Sequence, residues 1–239
     1  MIKEDPFIVL NAFKQPVGHE IKNWLAKEKP SHKIIKGTYC VLKPITLDSN
    51  IEQLYQALNF DNDGSSWTYL PYGPFKHALD FESWLRTTLS NEQDTLLYSI
   101  TKINDTSPIG IIGYLRINPS HGVIEIGHVH FSKLLHKTAA ATEAIYLMIN
   151  HAFKDLNYRR CEWKCNSLNQ ASINTALRIG FTFEGKFRQA NVFKNQNRDT
   201  SWFSIIDQEW PSLAKRLETW LKPNNFDAKG NQKLALQKI

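Results

Sequence analysis

The sequence lacks a long apolar run and contains few cysteines. No stretch approaches the roughly 18 consecutive apolar residues of a transmembrane helix, so we expect no membrane partner. Residues 1–6 lack the basic segment and apolar core of a secretory signal, and we expect none. The cysteines are Cys40, Cys161 and Cys165, an odd number without a disulfide framework. Such a set favours a reducing compartment, and we therefore expect a cytoplasmic protein.

A metal-binding pattern and a basic cluster are missing as well. Cys161 and Cys165 share one face of a predicted strand roughly 13 Å apart, too far to form a disulfide or share a metal. We expect two core thiols and no metal. The net charge of +6 suits a nucleotide-containing cofactor and also RNA. Because Lys and Arg are spread along the chain without a basic stripe, we expect no nucleic-acid partner.

Apolar periodicity predicts an alternation of strands and helices. Up to the last helix the predicted order is β-α-α-β-β-β-α-β-α-β-β, typical of an α/β layer with a mixed sheet. We expect the second helix over residues 75–89, and a long polar excursion between the last two strands, 181–187 and 200–206. The predicted organisation is an N-terminal arm (1–36), a domain (37–211) and a C-terminal helix with a polar tail (212–239).

One loop between a strand and a helix has the features of an anion site. The predicted strand Val123–Phe131 leads through a short loop into a helix that begins at about Thr138, and small side chains fill the first turn. Free N–H groups at a helix start attract anions, and small residues let a phosphate approach. The segment is therefore a candidate pyrophosphate site. An Ala-rich helix start without a ligand is the alternative, because Ala is the best helix former.

The element order and two segments resemble the GNAT superfamily of acetyl-CoA-dependent N-acetyltransferases. His136-Lys-Thr-Ala-Ala-Ala141, followed by Thr142-Glu-Ala144, resembles the family's Gln/Arg-x-x-Gly-x-Gly/Ala pyrophosphate segment. The segment from Asn169 to Phe181, with Glu184-Gly185 after it, resembles the Asn-x-x-Ser helix with its Gly-Phe ending. The resemblance covers about residues 39–211 and is best for the branch that contains the ribosomal-protein N-terminal acetyltransferases.

The resemblance implies a fold, a co-substrate and a set of residues that bind it. The fold would be α/β (α+β), with a mixed, mostly antiparallel central sheet flanked by helices. Acetyl-CoA would be the co-substrate, and its pantetheine arm would pair with the backbone beside Phe131 as an extra strand. The expected cofactor-binding residues are Phe131, His136, Lys137, Thr138, Ala139, Ala140, Ala141, Thr142, Asn169 and Ser172.

Four residues are candidates for proton transfer. Glu125 lies between apolar neighbours on the strand before the loop, and its place resembles that of the general-base Glu in the histone-acetylating branch. The alternative for Glu125 is an ion pair with an Arg such as Arg116. By alternation, His128 and His130 should share the strand face opposite Glu125 and compete for the role of base. Ser172 is the best remaining group for the leaving thiolate, because Ala176 replaces the Tyr acid of many relatives.

The acceptor site is expected beside an aromatic loop. Trp67, Tyr69, Tyr72 and Phe75 would line it, and core packing of that loop is an equal alternative. Asn191 stands where the ribosomal branch often uses a Glu base; Asn cannot act as a base, so we place it among the substrate-binding residues. The polar start of the last strand, Arg198-Asp199-Thr200, is structural or shapes the mouth of this site.

The predicted function is transfer of an acetyl group to a primary amine by direct attack in a ternary complex. The acceptor would be a small molecule or a protein N-terminus, and the arm and the aromatic loop slightly favour a small molecule. A non-catalytic acyl-CoA-binding module is the alternative, because Ala176 and Asn191 remove familiar catalytic groups. The protein would be a monomer or a homodimer, with an exposed strand such as the last one available for pairing.

Overall fold

The computed structural model describes residues 8–59, 63–91 and 94–239. The first seven residues of the predicted arm therefore lie outside the described residues. From residue 40 onward the elements follow the predicted order. The strands and helices are β1 (Ile8–Leu10), β2 (Pro16–Gly18), β3 (Ile35–Lys36), β4 (Cys40–Pro44), α1 (Ile51–Leu58), α2 (Ala78–Asn91), β5 (Leu96–Lys102), β6 (Pro108–Asn118), β7 (Val123–Phe131), α3 (Ala139–Asn150), β8 (Arg160–Asn166), α4 (Gln170–Ile179), β9 (Thr182–Phe193), β10 (Gln196–Ile206) and α5 (Trp210–Leu221).

The main sheet has eight strands in the order β3-β4-β5-β6-β7-β8-β10-β9. The pairing is antiparallel except between β7 and β8, which are parallel. The predicted mixed, mostly antiparallel sheet flanked by helices is thus confirmed. None of the helices in the described ranges has the length and apolar character that a bilayer crossing requires.

Each face of the sheet carries its own apolar core. The neighbours Ile111 and Ile112 on β6 point to opposite faces, as strand geometry requires, and each joins a different core. The first core also contains the predicted stripe of α3, which continues through a π-helical turn over His151–Asp155. The second core packs α1 and α2 against the other face. The two predicted core thiols, Cys161 and Cys165, are free and buried in the first core.

The N-terminal segment lies over the turn between β6 and β7. β1 and β2 form a small antiparallel sheet of their own. The indole Nε1 of Trp24 donates a hydrogen bond to the carbonyl of Ser120 (2.8 Å), and the hydroxyl of Tyr158 donates to the carbonyl of Glu28 (3.1 Å). These contacts attach the segment to the sheet at the end opposite the loop that follows β7.

β7 and β8 separate after a short paired stretch. Their register covers only Val123–Ile126 against Arg160–Trp163. Beyond it β7 continues to pair with β6, and β8 with β10, so an opening remains between the two parallel strands. A register shift occurs here between β6 and β7, and His128 has a φ of +48°. A bulge inserts one residue into the alternation, which reverses the faces of the residues that follow.

Three sequence predictions about local structure are wrong. The last two strands are joined by a tight hairpin at Lys194 and Asn195, both at positive φ, and not by a long excursion. β10 lies inside the sheet between β8 and β9, so the exposed edge belongs to β9. α2 begins at Ala78 and not at residue 75; the carbonyls of Phe75 and Lys76, just before the helix, accept hydrogen bonds from the hydroxyl of Tyr55.

The carboxylate of Glu143 ties the start of β4 to α3. It accepts backbone N–H bonds from Thr38 (2.7 Å), Tyr39 (2.7 Å) and Cys40 (2.9 Å). A side chain at Gly37 would overlap this carboxylate, since its Cβ would lie 2.4 Å from the Glu143 Cδ atom. Burial and the charge of Glu143 raise the pKa of the Cys40 thiol, which therefore stays protonated. The edge of the sheet is thus fixed to the helix that follows the candidate anion loop.

Replacing Glu143 with Gln should destabilise the protein by about 1.5–3 kcal/mol, because backbone N–H groups then lose a charged acceptor. Urea denaturation measures this change. Glu218→Gln is the matched control, since its exposed carboxylate accepts one bond from Tyr146 (2.7 Å) and its loss should cost about 1 kcal/mol or less. Equal unfolding midpoints for the two variants would contradict the assignment.

Candidate functional site

A cavity of about 690 Å³ occupies the opening between β7 and β8. It extends from the start of α4 on one face of the sheet to the loop between α1 and α2 on the other. Nine of the sequence-proposed and newly recognised site residues share its lining. They are Tyr69, Glu125, His128, Lys164, Asn169, Ser172, Asn191, Arg198 and Trp202. Its size is that of a small-molecule site.

Glu125 lies at the centre of a row of charges that crosses the strands. Its Oε2 atom accepts a hydrogen bond from Nε of Arg116 (2.6 Å), and a second nitrogen of that guanidinium contacts Oε1. Nζ of Lys164 lies 2.9 Å from the same Oε2 atom and 2.8 Å from Glu162. The Lys164 ammonium also lies 3.7 Å from the ring centre of Trp202. The ion pair with Arg116 is the alternative that the sequence had left open for Glu125.

The cations of this row favour the ionised form of Glu162 over its protonated form. Burial raises the pKa of Glu162, but the hydrogen bonds from Lys164 and Arg160 outweigh it, and the net pKa lies below its ordinary value. Burial lowers the pKa of Arg116, but its hydrogen bond and charge interaction with Glu125 outweigh burial, and the net pKa lies above its ordinary value. Glu125 is thus the counter-ion that Arg116 and Lys164 share at the cavity wall.

His128 lies at the bulge of β7 and lines the cavity. Its Nδ1 atom is 2.7 Å from the hydroxyl of Tyr72. One hydrogen bond joins the two groups, and the tautomer of the imidazole decides which of them donates. The rings of Tyr72 and Trp84 pack beside it and orient the imidazole. Because the bulge directs His128 toward the aromatic loop, the imidazole faces the same side of the sheet as Glu125. The expectation of opposite faces is therefore wrong.

His130 lies in the second core and not at the cavity. It is 4% exposed, and its ring centre is 4.1 Å from that of Trp67. Burial, with a smaller contribution from His136, lowers the pKa of His130 to about 4. Neither ring nitrogen has a hydrogen-bond partner among the described residues. His130 is therefore neutral near pH 7 and serves as a packing residue.

The aromatic loop divides between core and cavity. Trp67, Tyr72 and Phe75 pack on one another and on α2 in the second core. Among the aromatic residues of this loop, only Tyr69 lines the cavity, and its hydroxyl donates to the carbonyl of Leu168 (3.2 Å). The expected aromatic wall is thus mostly core packing, the alternative that the sequence had also allowed. Tyr72 contacts His128, a residue of the cavity lining.

The start of α4 brings two polar residues to the cavity. The side chain of Asn169 caps this helix by accepting a bond from the N–H of Ser172 (3.1 Å). The hydroxyl of Ser172 accepts a bond from Nε1 of Trp163 (3.0 Å) and also makes a hydrogen bond with the side chain of Cys165. Burial raises the pKa of the neighbouring Cys165 thiol, so that group is not a thiolate.

The loop after β7 leads into α3 as the sequence predicted. Thr138 caps the helix, since its Oγ1 atom accepts from the N–H of Ala141 (3.2 Å) and donates to the carbonyl of Leu135 (2.7 Å). His136 and Lys137 are exposed, whereas Thr142 is buried and accepts a bond from Arg178 (3.0 Å). Ala139 and Ala140 begin the helix, where N–H groups lack intrahelical partners. A smaller cavity of about 130 Å³ lies beside this loop and includes Phe131 and His136.

Three site residues were not recognised as such from the sequence. Lys164 and Trp202 face the cavity because they alternate in register with Glu125, which only the strand pairing reveals. Arg198 was noted for its polarity at the start of a strand. The structure brings it to the cavity, beside Asn191, whose Nδ2 atom donates to Thr200 (3.4 Å). For Lys164 and Arg198, the signal available in the sequence was a charged residue within or beside a predicted strand.

Comparison with known proteins agrees with this geometry. Residues 40–182, more than half of the chain, match the acetyltransferase (GNAT) domain family. A GCN5-related N-acetyltransferase from Brucella melitensis is 39% identical with a TM-score of 0.87, over 91% of this chain and 98% of that one. A probable acetyltransferase of the same family from Chromobacterium violaceum is 41% identical with a TM-score of 0.77, over 82% and 98%. The Escherichia coli ribosomal-protein-serine acetyltransferase is 30% identical over 42% of this chain and 56% of its own length.

The buried state of His130 should make the protein sensitive to acid. An unfolded His binds its proton near pH 6.5, whereas His130 in the folded protein does so at about 4, so stability falls as the pH drops from about 6.5 to 4. His130→Phe should reduce the loss of unfolding free energy between pH 7 and 4.5 by roughly 2 kcal/mol. Urea titrations at both pH values measure it, with the exposed His121→Phe as control. An unchanged pH dependence in His130→Phe would refute this origin.

Proposed function

The chain belongs to the acetyltransferase (GNAT) family, and on this basis we propose that it acetylates the amine of a small molecule bound in the cavity between β7 and β8. The enzyme is an N-acetyltransferase that uses acetyl-CoA. The opening through the sheet carries the proposal, because one cavity reaches both α4 and the loop between α1 and α2. Donor and acceptor can therefore enter from opposite faces and meet between the strands.

The residues around the opening fit the donor. The N–H groups at the start of α3 offer an anion site for its pyrophosphate, and the small side chains there permit close approach. Beyond Ile126 the side of β7 that faces β8 is unpaired and offers backbone groups to a pantetheine amide. Acetyl-CoA supplies the acetyl group as a thioester, whose C–S bond breaks as the amine nitrogen forms the new C–N bond. Ser172 is suited to donate a hydrogen bond to the departing sulfur.

The acceptor amine must lose a proton before it attacks. We assign the role of proton acceptor to His128, because the imidazole lines the cavity and Tyr72 orients it. Glu125 serves a different purpose: it holds Arg116 and Lys164 at the cavity wall. Cations near a bound amine lower its pKa and favour the neutral nucleophile. This division of roles replaces the initial preference for Glu125 as base.

Donor binding and catalysis are tested together. At about 100 times its dissociation constant, a ligand adds roughly 2.7 kcal/mol of stability, so acetyl-CoA and CoA should raise the melting temperature, while ATP and NAD should not. Release of free thiol from acetyl-CoA should then require an added amine. A thermal shift without thiol release for any amine would indicate the binding-only module, and no shift with either CoA species would refute the donor site.

The base assignment makes a prediction about pH. His128→Gln should lower kcat by about 10²–10⁴-fold and remove the acidic limb of the kcat/KM profile that an imidazole produces. Glu125→Gln should keep that limb but lower thermal stability, because Arg116 and Lys164 both lose an ion pair and Lys164 keeps only the one with Glu162. Tyr72→Phe tests orientation and should give a smaller loss of rate. A limb that persists in His128→Gln and disappears in Glu125→Gln would return the role to Glu125.

A further inference from the structure

The lining of the cavity carries an excess of positive charge. Among the residues that the structure describes, the charged lining consists of Arg116, Lys164, Arg188, Arg198 and one acid, Glu125. Arg116 and Lys164 are already paired with that acid. Glu162, which lies outside the lining, also pairs with Lys164, so two carboxylates face these four cations and an excess of positive charge remains. The cavity therefore attracts anionic groups and repels acceptors whose only charges are cationic.

Arg198 differs from the two paired cations. No acidic side chain in the described ranges lies within ion-pair distance of it, and its buried Nε atom has no hydrogen-bond partner there. The guanidinium carbon lies 4.7 Å from the ring centre of Phe193, which holds the flat group in one orientation. Burial lowers the pKa of Arg198, which reflects the cost of keeping this charge partly out of water. Such a group is ready to accept a counter-ion.

The position of Arg198 relates it to the reacting amine. It begins β10, which borders β8, whereas His128 belongs to β7 on the other side of the opening. Both side chains line the same cavity. A bound molecule that spans the opening therefore presents one end to the imidazole and the other to the guanidinium. A guanidinium fork matches a carboxylate or a phosphate through two parallel hydrogen bonds.

We infer that the acceptor is a small amine that also carries an anionic oxygen group, a carboxylate or a phosphate, which Arg198 binds. This inference rests on the proposed function, since it names the class of acceptor for the same cavity. The amine end then meets His128, and the anionic end supplies the counter-ion that Arg198 lacks. Simple alkylamines and polyamines belong to the disfavoured class, because they bring only positive charge.

Paired acceptors test the inference by steady-state kinetics with acetyl-CoA. One arm compares 2- and 3-aminoalkanoic acids with their primary amides, and the other compares 2-aminoethyl phosphate with 2-aminoethanol. In at least one arm the anionic member should have a kcat/KM at least tenfold higher. Arg198→Met should abolish that preference, mainly by raising KM for the anionic member about 10- to 100-fold. The kcat/KM values of the neutral members should change less than those of the anionic members.

Two further variants separate a specific contact from general charge. Arg198→Lys keeps the charge without the fork and should recover part of the preference. Arg86→Met removes a surface cation outside the cavity and should change nothing. Equal rates for anionic and neutral members, or an unchanged preference in Arg198→Met, would overturn the inference while leaving the proposed function intact. Absence of thiol release with every amine would instead overturn the proposed function, and the inference with it.

Discussion

The short parallel pairing between β7 and β8 is the constraint on which the rest of the site depends. Four residues of each strand pair, and then each strand continues with its other neighbour alone. A sheet normally buries its backbone groups in pairing, so an interior gap leaves donors and acceptors that a ligand can satisfy. The bulge at His128 lies at this gap and turns the imidazole into it. Pairing geometry thus produces both the passage and the placement of the imidazole beside it.

The charges around the gap form a second level of organisation. Glu125 is almost fully buried, and a lone carboxylate there would be costly, so Arg116 and Lys164 accompany it. Their presence makes the cavity cationic, and under the proposed function this charge would favour the neutral form of a bound amine. Under that proposal Arg116 and Lys164 contribute both to the stability of the protein and to its activity, so a substitution at Glu125 should affect both.

Much of the fold could be predicted from the sequence because its local signals are strong. The apolar stripe of α3 and the caps at Thr138 and Asn169 fix helices without reference to the rest of the chain. The site was harder to predict. A single bulge reverses side-chain alternation, so His128 was assigned to the wrong face. An aromatic cluster has the same composition in a core as at a surface. The sequence therefore could not decide whether Trp67 lines the acceptor site or packs in the core. Lys164 became visible only through strand pairing.

The order of the last strands has a consequence for how the charges of the site are covered. β9 precedes β10 in the chain but lies outside it, so the hairpin of the two strands joins the sheet through β10 alone. Trp202 and Arg198 belong to this hairpin, and the ring centre of Trp202 lies 3.7 Å from the Lys164 ammonium. A hairpin that detached from β8 would expose the ion pairs of Lys164 to water, where such pairs are weaker, so their strength depends on the docking of strands that come later in the chain.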